Sequence, residues 1–200
     1  MQRSWILGLA AVVLLAACDD DPTGTEGDSM TRVEAQAVAG NVFAVGDEVT
    51  ADGIAQTTET GEGSGAIRFT QTSTHPCPLG GNVQVSLDID VDYDQPGQSF
   101  ELDATGALRH NDCAFNAENT VITVDGDPDI QVAVYAVASG GVATAPWTHS
   151  VEGAFIWAAD DGREGRCVID LFASTDLVAR QRTVAGEVCG HTIQQTLTWE

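Results

Sequence analysis

Val83-Gln84-Val85-Ser86-Leu87-Asp88-Ile89-Asp90-Val91-Asp92-Tyr93 is the stretch whose reading decides the fold. Apolar and polar residues alternate through it without a break. A period of two puts the valines, Leu87, Ile89 and Tyr93 on one side of an extended chain and the polar residues on the other. One buried face and one solvated face is the pattern of an antiparallel sheet.

The same alternation recurs on both sides of this stretch. It runs through Ile67 and Phe69, then Phe100, Leu102, Ala104 and Leu108, then Ile130, Val132, Val134 and Ala136. Later runs are Val151, Phe155 and Trp157, then Ile169 and Leu171, then Ile193, Leu197 and Trp199. Clusters of Gly, Pro, Asp or Asn separate them at Pro78 to Asn82, Gln95 to Gly97, Asp125 to Asp129, Ser139 to Gly141 and Asp160 to Gly165. About nine or ten short strands with turns between them predict an all-β domain. No helix-length segment lies between strands, so parallel βαβ units are excluded. The expected architecture is an antiparallel meander that closes into a barrel or packs as a two-sheet sandwich, with one short N-terminal helix. Outer-membrane barrels often end in an aromatic residue such as Trp199, but here the strands are short and their polar faces heavily acidic, which favours a soluble barrel or sandwich.

The helix is predicted from a local signal. Thr31-x-x-Glu34 has the spacing of a capping box, and Val38, Val42, Val45 and Val49 follow at near-helical spacing beside Phe43. The predicted helix runs from about Thr31 to Val45. Residues 51–65, rich in Thr, Gly and Glu, read as a loop.

The N-terminus carries a different message. Arg3 precedes a thirteen-residue uncharged run from Trp5 to Ala17. That run is short of the ~20 residues a membrane-spanning helix needs, and it suits the apolar core of a signal peptide. It ends in Leu15-Ala16-Ala17-Cys18, which resembles the lipobox of bacterial lipoprotein precursors. The resemblance covers the first ~20 residues only. It implies cleavage before Cys18, a diacylglycerol on the Cys18 thiol and an acylated amino terminus, a combination that anchors stably to a bilayer. Asp19 resembles the signal that retains enterobacterial lipoproteins at the inner membrane, but that rule differs between bacteria, so inner and outer membrane are both compatible with the sequence. The expected division is a signal peptide at 1–17, a lipidated Cys18 with an acidic tether at 18–30, and one β-domain at 31–200. The tether, Asp19 to Ser29, holds acids, Gly, Thr and Pro22 without an apolar residue and reads as flexible.

Charge narrows the partners. The chain has 30 acidic residues against eight arginines and no lysine. Removal of residues 1–17 takes away Arg3 and no acid, so the mature chain carries a formal charge of −23. Such a domain repels phosphate backbones and anionic headgroups, so no nucleic acid is expected as a partner, and only the lipid would hold it to a membrane. Hydrophobic content of 43% is too high for a disordered acidic chain.

Four cysteines remain besides Cys18: Cys77, Cys113, Cys167 and Cys189. An even number in an exported domain predicts two disulfides. Setting Tyr93 opposite Gln98 brings Cys77 within one position of Cys113. A turn near Val178 sets Cys167 opposite Cys189, at the cost of opposing Ile169 to Glu187. The expected pairs are Cys77–Cys113 and Cys167–Cys189. The rival reading is zinc, because His75, His110 and His191 each lie near a cysteine and imidazole with thiolate suits that ion. No Cys-x-x-Cys pair supports it.

Asp88, Asp90, Asp92 and Asp94 share the polar side of the deciding strand. The same register opposes Asp103 to Asp88 and Glu101 to Asp90, so six carboxylates share one face of a hairpin. The plain reading is a solvated acidic surface. The functional reading is a calcium site made from Asp88, Asp90, Asp92, Glu101 and Asp103, since hard cations take several carboxylate oxygens. Asp125-Gly126-Asp127-Pro128-Asp129 resembles the opening of an EF-hand loop, but Ile130 stands where that loop needs Gly and Ala136 where it needs Glu, so it reads as a turn. No catalytic motif appears, and the four histidines read as turn or edge residues. No cofactor is expected beyond calcium. The expected function is a lipid-anchored, non-enzymatic envelope domain that binds a ligand or partner or plays a structural part. A lipocalin-like version would hold an apolar ligand inside the barrel. The alternative from another class is a hydrolase that uses the clustered carboxylates.

Overall fold

The computed structural model describes residues 26–60, 65–94, 98–140 and 142–198, and of residues 26–27 and 47–60 the backbone alone. Residues 1–25, which include the signal peptide and Cys18, and Trp199 lie outside the described residues. In chain order the elements are β1 (Glu26–Gly27), α1 (Arg32–Thr60), β2 (Gly65–Pro76), β3 (Gly80–Asp94), β4 (Ser99–Ala117), β5 (Thr120–Gly126), β6 (Ile130–Ser139), β7 (Val142–Ala143), β8 (Trp147–Ala159), β9 (Glu164–Asp176), β10 (Gln181–Val188) and β11 (His191–Thr198). The domain is all-β with one helix.

The strands form one antiparallel meander. Its order is β2-β3-β4, then β5 and β6, then β8-β9-β10-β11. β5 and β6 both run antiparallel to β4 and to β8. They therefore act as one long strand with an interruption at Asp127–Asp129. The expected turn at Asp125 to Asp129 is thus corrected: the chain breaks its ladder there but does not reverse. β5 and β6 together count as one strand between β4 and β8, and the sheet, with β2 and β11 as its outermost strands, curls into a barrel around α1. Two glycines permit the curl. A Cβ on Gly106 would lie 2.0 Å from the Ser86 carbonyl oxygen, and one on Gly186 would lie 2.1 Å from that of Asp170. Backbones approach this closely only where a strand lacks a side chain.

The buried face is the one the alternation marks. Val83, Val85, Leu87, Ile89 and Val91 point inward from β3, and Cys167, Ile169, Leu171 and Ala173 from β9. α1 lies inside the curl, against β2, β3 and β4 on one side and β10 and β11 on the other. Its Ala35, Val38, Ala39, Val42 and Phe43 are buried at three- and four-residue spacing. Each fully buried Val or Phe contributes roughly 1.5–3 kcal/mol, so packing rather than propensity holds the helix.

The capping box forms as its spacing implies. Thr31 N donates to Glu34 Oε2 at 2.7 Å, and Glu34 N donates to Thr31 Oγ1 at 3.3 Å. The helix continues beyond the expected end near Val45 to Thr60, which corrects the loop assigned to residues 51–65. The physical reason is that no proline interrupts this run, and once a helix is nucleated each further residue adds a hydrogen bond at little cost. The acidic tether is also shorter than expected. Glu26 and Gly27 pair with Arg166 and Gly165 of β9, just beyond the point where the β9–β10 ladder ends.

Both expected disulfides are present, Cys77–Cys113 and Cys167–Cys189, with Cα separations of 5.4 and 4.8 Å. The registers behind them each move. Tyr93 faces Phe100, because Gln98 takes a φ of 47° and belongs to the turn, so pairing begins at Asp94–Ser99. Across β9 and β10, Ile169 faces Val188 rather than Glu187, and Cys189 bends away at a φ of 52°. Two disulfides in a β-domain belong to an oxidising, exported compartment.

Candidate functional site

The acidic face lies on the outer side of β3 and β4. Asp90 opposes Asp103, and Asp92 opposes Glu101, whereas Asp88 opposes Thr105. The expected pairs Asp88–Asp103 and Asp90–Glu101 are therefore corrected, a consequence of the turn at Gln98. The strands slide by one residue each, so every side chain keeps its face. Directly opposed carboxylates repel. Three neighbours offset this. Arg68 of β2 bonds to Asp90, Thr70 of β2 donates to Asp88 at 2.7 Å, and Tyr135 of β6 donates to Glu101 at 3.2 Å. The bond to Glu101 also raises the Tyr135 pKa, because it holds the phenol proton. Reading the sequence locally placed no arginine among these acids. Arg68 arrives from the neighbouring strand, opposite Asp90 in the β2–β3 ladder. The five residues named for calcium thus share one solvated face. Among the described residues, no group of three or more His, Cys, Asp or Glu side chains is arranged to hold a metal ion.

The acids of the EF-hand-like segment have separate partners. Asp125 accepts from Asp112 N at 2.7 Å, Asp127 from Arg166 Nε at 2.7 Å, and Asp129 takes Arg109 through two bonds of 2.7 and 3.0 Å. They brace the ladder break between β5 and β6.

The histidines all lie on strands, so none is a turn residue, and the edge part of the turn-or-edge reading fits two of them. His75 and His191 are on the edge strands β2 and β11, whereas His110 and His149 are on inner strands; His75 and His110 are both buried. His75 and Ser73 share a 2.8 Å bond. His149 stacks on Phe43 at 6.4 Å. His110 is 3% exposed and its Nδ1 has no partner among the described residues. Burial pushes its pKa down to about 4, against a smaller opposing pull from Asp125. The four described cysteines are consumed in disulfides, so the thiolates a zinc site needs are not available.

Among the described residues, the helix fills the interior beside Val42 and Phe43. Beside α1 a void of about 10 Å³ remains, lined by Val42, Phe43, Leu87, Leu108, Val134 and Val151. Small-molecule pockets run to roughly 300–1,000 Å³. Where a lipocalin-like domain would hold its ligand, this chain places the first half of α1. Outside, two shallow hollows of about 320 and 360 Å³ indent the surface. The first lies over Thr72, Thr74, Gln84, Ser86 and Arg109, the second beside Asp92, Asp94, Phe100 and Glu101.

The most elaborate polar constellation is one that sequence reading missed: the latch on the start of α1. Arg163, in the β8–β9 turn, grips Glu34 through Nη2 to Oε1 at 2.6 Å and Nη1 to Oε2 at 3.1 Å. It also binds Asp161 at 2.8 Å, donates to the Ser29 carbonyl at 3.4 Å and lies 5.8 Å over the Trp157 ring. This guanidinium holds the Glu34 carboxyl well below the usual range, at about 2, against the opposing effect of burial. Glu34 raises the Arg163 pKa in return. From the first residue of β11, His191 Nε2 donates to the Met30 carbonyl at 2.7 Å, and from the β10–β11 turn Cys189 Sγ lies 3.6 Å from Met30 Sδ. Nothing in the local sequence pairs Glu34 with a residue 129 positions away; only its unusual burial marks it. No protein-family model, curated protein or solved structure matches this chain.

Proposed function

We propose that this chain is a lipid-anchored cell-envelope protein whose folded part is a non-enzymatic β-domain that works through its outer surface. The observation that carries this reading is the helix-filled barrel. A domain whose interior is packed with its own helix has only its exterior to offer a partner. Two disulfides support export, since such bonds persist outside the reducing cytosol. The outward row Gln84, Ser86, Asp88, Asp90 and Asp92 is one a hydrocarbon layer would reject. The anchor is then the Cys18 lipid of the Leu-Ala-Ala-Cys motif, with partners met in the envelope. Metabolic labelling with a radioactive fatty acid, followed by intact mass, tests it. The wild-type chain should incorporate label, begin at Cys18 and sediment with membranes, and Cys18→Ser should lose all three properties. An unlabelled wild-type chain cleaved elsewhere would contradict the anchor.

A further inference from the structure

We infer that the disulfide end of the barrel faces the membrane and the opposite end faces away, an orientation that rests on the lipid-anchor reading. The barrel has two ends with different contents. At one end lie the turns after β2, β4, β8 and β10, together with both disulfides. At the other lie the turns after β3 and β9 and the connection around β7. The described part of the chain that leads back to Cys18, residues 26–32, is fixed to the first end. Glu26 and Gly27 pair with β9 at Arg166 and Gly165. Asp28 N donates to the Glu164 carbonyl at 2.9 Å, and Glu164 N donates to Asp28 Oδ2 at 3.3 Å. Arg163, His191 and Cys189 hold Ser29 and Met30. Arg32 then donates to the Thr192 carbonyl at 3.0 Å.

Covalent geometry does the rest. Glu26 follows Cys18 by eight residues, and eight residues reach at most about 29 Å. β9 has 13 residues, about 40 Å along the strand and about 30 Å along a barrel axis after a strand tilt of 35–45°. With the disulfide end down, the link spans its gap without strain. With that end up, Glu26 would stand about 30 Å above the bilayer, so the link would have to be drawn out to its full length. No electrostatic attraction offsets that cost, because the chain has no lysine and is strongly acidic. The link length therefore selects the orientation. The apolar turn residues Leu177 and Val178, the latter 72% exposed, then point away from the lipid and toward whatever the domain meets.

The test uses full-length lipidated protein in phosphatidylcholine vesicles that carry a headgroup acceptor dye. A donor is placed at Asn119→Cys, in the turn after β4, or at Val178→Cys, in the turn after β9. The disulfides leave each introduced thiol as the one to label. Energy transfer should be clearly greater from position 119 than from position 178. Inserting about 20 Gly and Ser residues after Asp21 should shrink the difference, because the longer link no longer selects an end. Equal or reversed transfer from floating protein overturns the orientation, and a difference that survives the insertion overturns the link length as its cause. Wild-type protein that does not float with vesicles overturns the anchor itself, and the two failures are distinguishable.

Discussion

Replacing Glu34 by Gln removes one charge from the latch while keeping the side chain's shape and its place in the capping box, where Gln also serves. Glu34 is 4% exposed and Arg163 29%, so water screens the pair little. The folded-state pKa near 2 against the ordinary 4.5 of a glutamate corresponds to about 3 kcal/mol of stability. The sign follows from proton uptake. The unfolded chain binds a proton at Glu34 at higher pH than the folded one does. The stabilisation is therefore complete above pH 4.5 and is lost as pH falls toward 2. Urea unfolding followed by tryptophan fluorescence should show wild type more stable than Glu34→Gln by about 3 kcal/mol at pH 7. The gap should narrow steadily below pH 4.5 and close near pH 2. Other carboxylates also titrate in this range, but they are common to both proteins and cancel in the difference. A gap under about 1 kcal/mol at pH 7, the size of an exposed pair, would refute the latch. So would a gap that does not narrow with acid.

The remaining expectations concern the core, the cross-links and the acidic face. His110 has a folded pKa of about 4 against 6.5, so wild type should lose about 3 kcal/mol between pH 6.5 and 4, and His110→Leu should flatten that part of the urea-midpoint profile. The loop-entropy model gives about 4 kcal/mol for Cys77–Cys113 and about 3 for Cys167–Cys189. Because Cys189 also packs on Met30, Cys167→Ala with Cys189→Ala should nevertheless destabilise more than the other double variant, and the opposite order in thermal melts would deny that contact its role. A Cβ at Gly40 meets nothing within 4 Å, so Gly40→Ala should stabilise by up to about 1 kcal/mol, whereas Gly106→Ala should destabilise sharply as the strands are forced apart. Calcium should raise the melting temperature no more than magnesium at equal ionic strength. A calcium-specific rise of several degrees, lost in Asp90→Asn with Asp92→Asn, would establish the cation site instead.

What was legible in the sequence was whatever depends on parity or on short range. The alternation through Val83 to Tyr93 named the inward face of β3 residue by residue, and a slip of one position per strand left that assignment intact. Thr31 and Glu34 are three residues apart, so their mutual bonds could be read directly. The cysteine pairs survived register errors because a disulfide tolerates an offset that a ladder does not. Turn details were not legible: nothing in the identity of Gln98 or Cys189 announces a left-handed backbone. The missed contacts are the long-range ones. Arg68 meets Asp90 only because β2 lies beside β3, and Arg163 meets Glu34 only because α1 enters the barrel. The helix interior position itself was hidden, since an amphipathic helix beside a sheet reads the same whether it lies outside the barrel or within it.

Native-state hydrogen exchange along α1 tests the helix-filled barrel most directly. If α1 is the core of the barrel, the amides of Val38 to Phe43 should be protected as strongly as those of Val85 to Ile89 and should open only with global unfolding. Fast, denaturant-independent exchange in α1 while the strands stay protected would mean that the helix leaves the barrel easily. The interior would then be open to a ligand after all, and the claim that this domain works through its outer surface would be wrong.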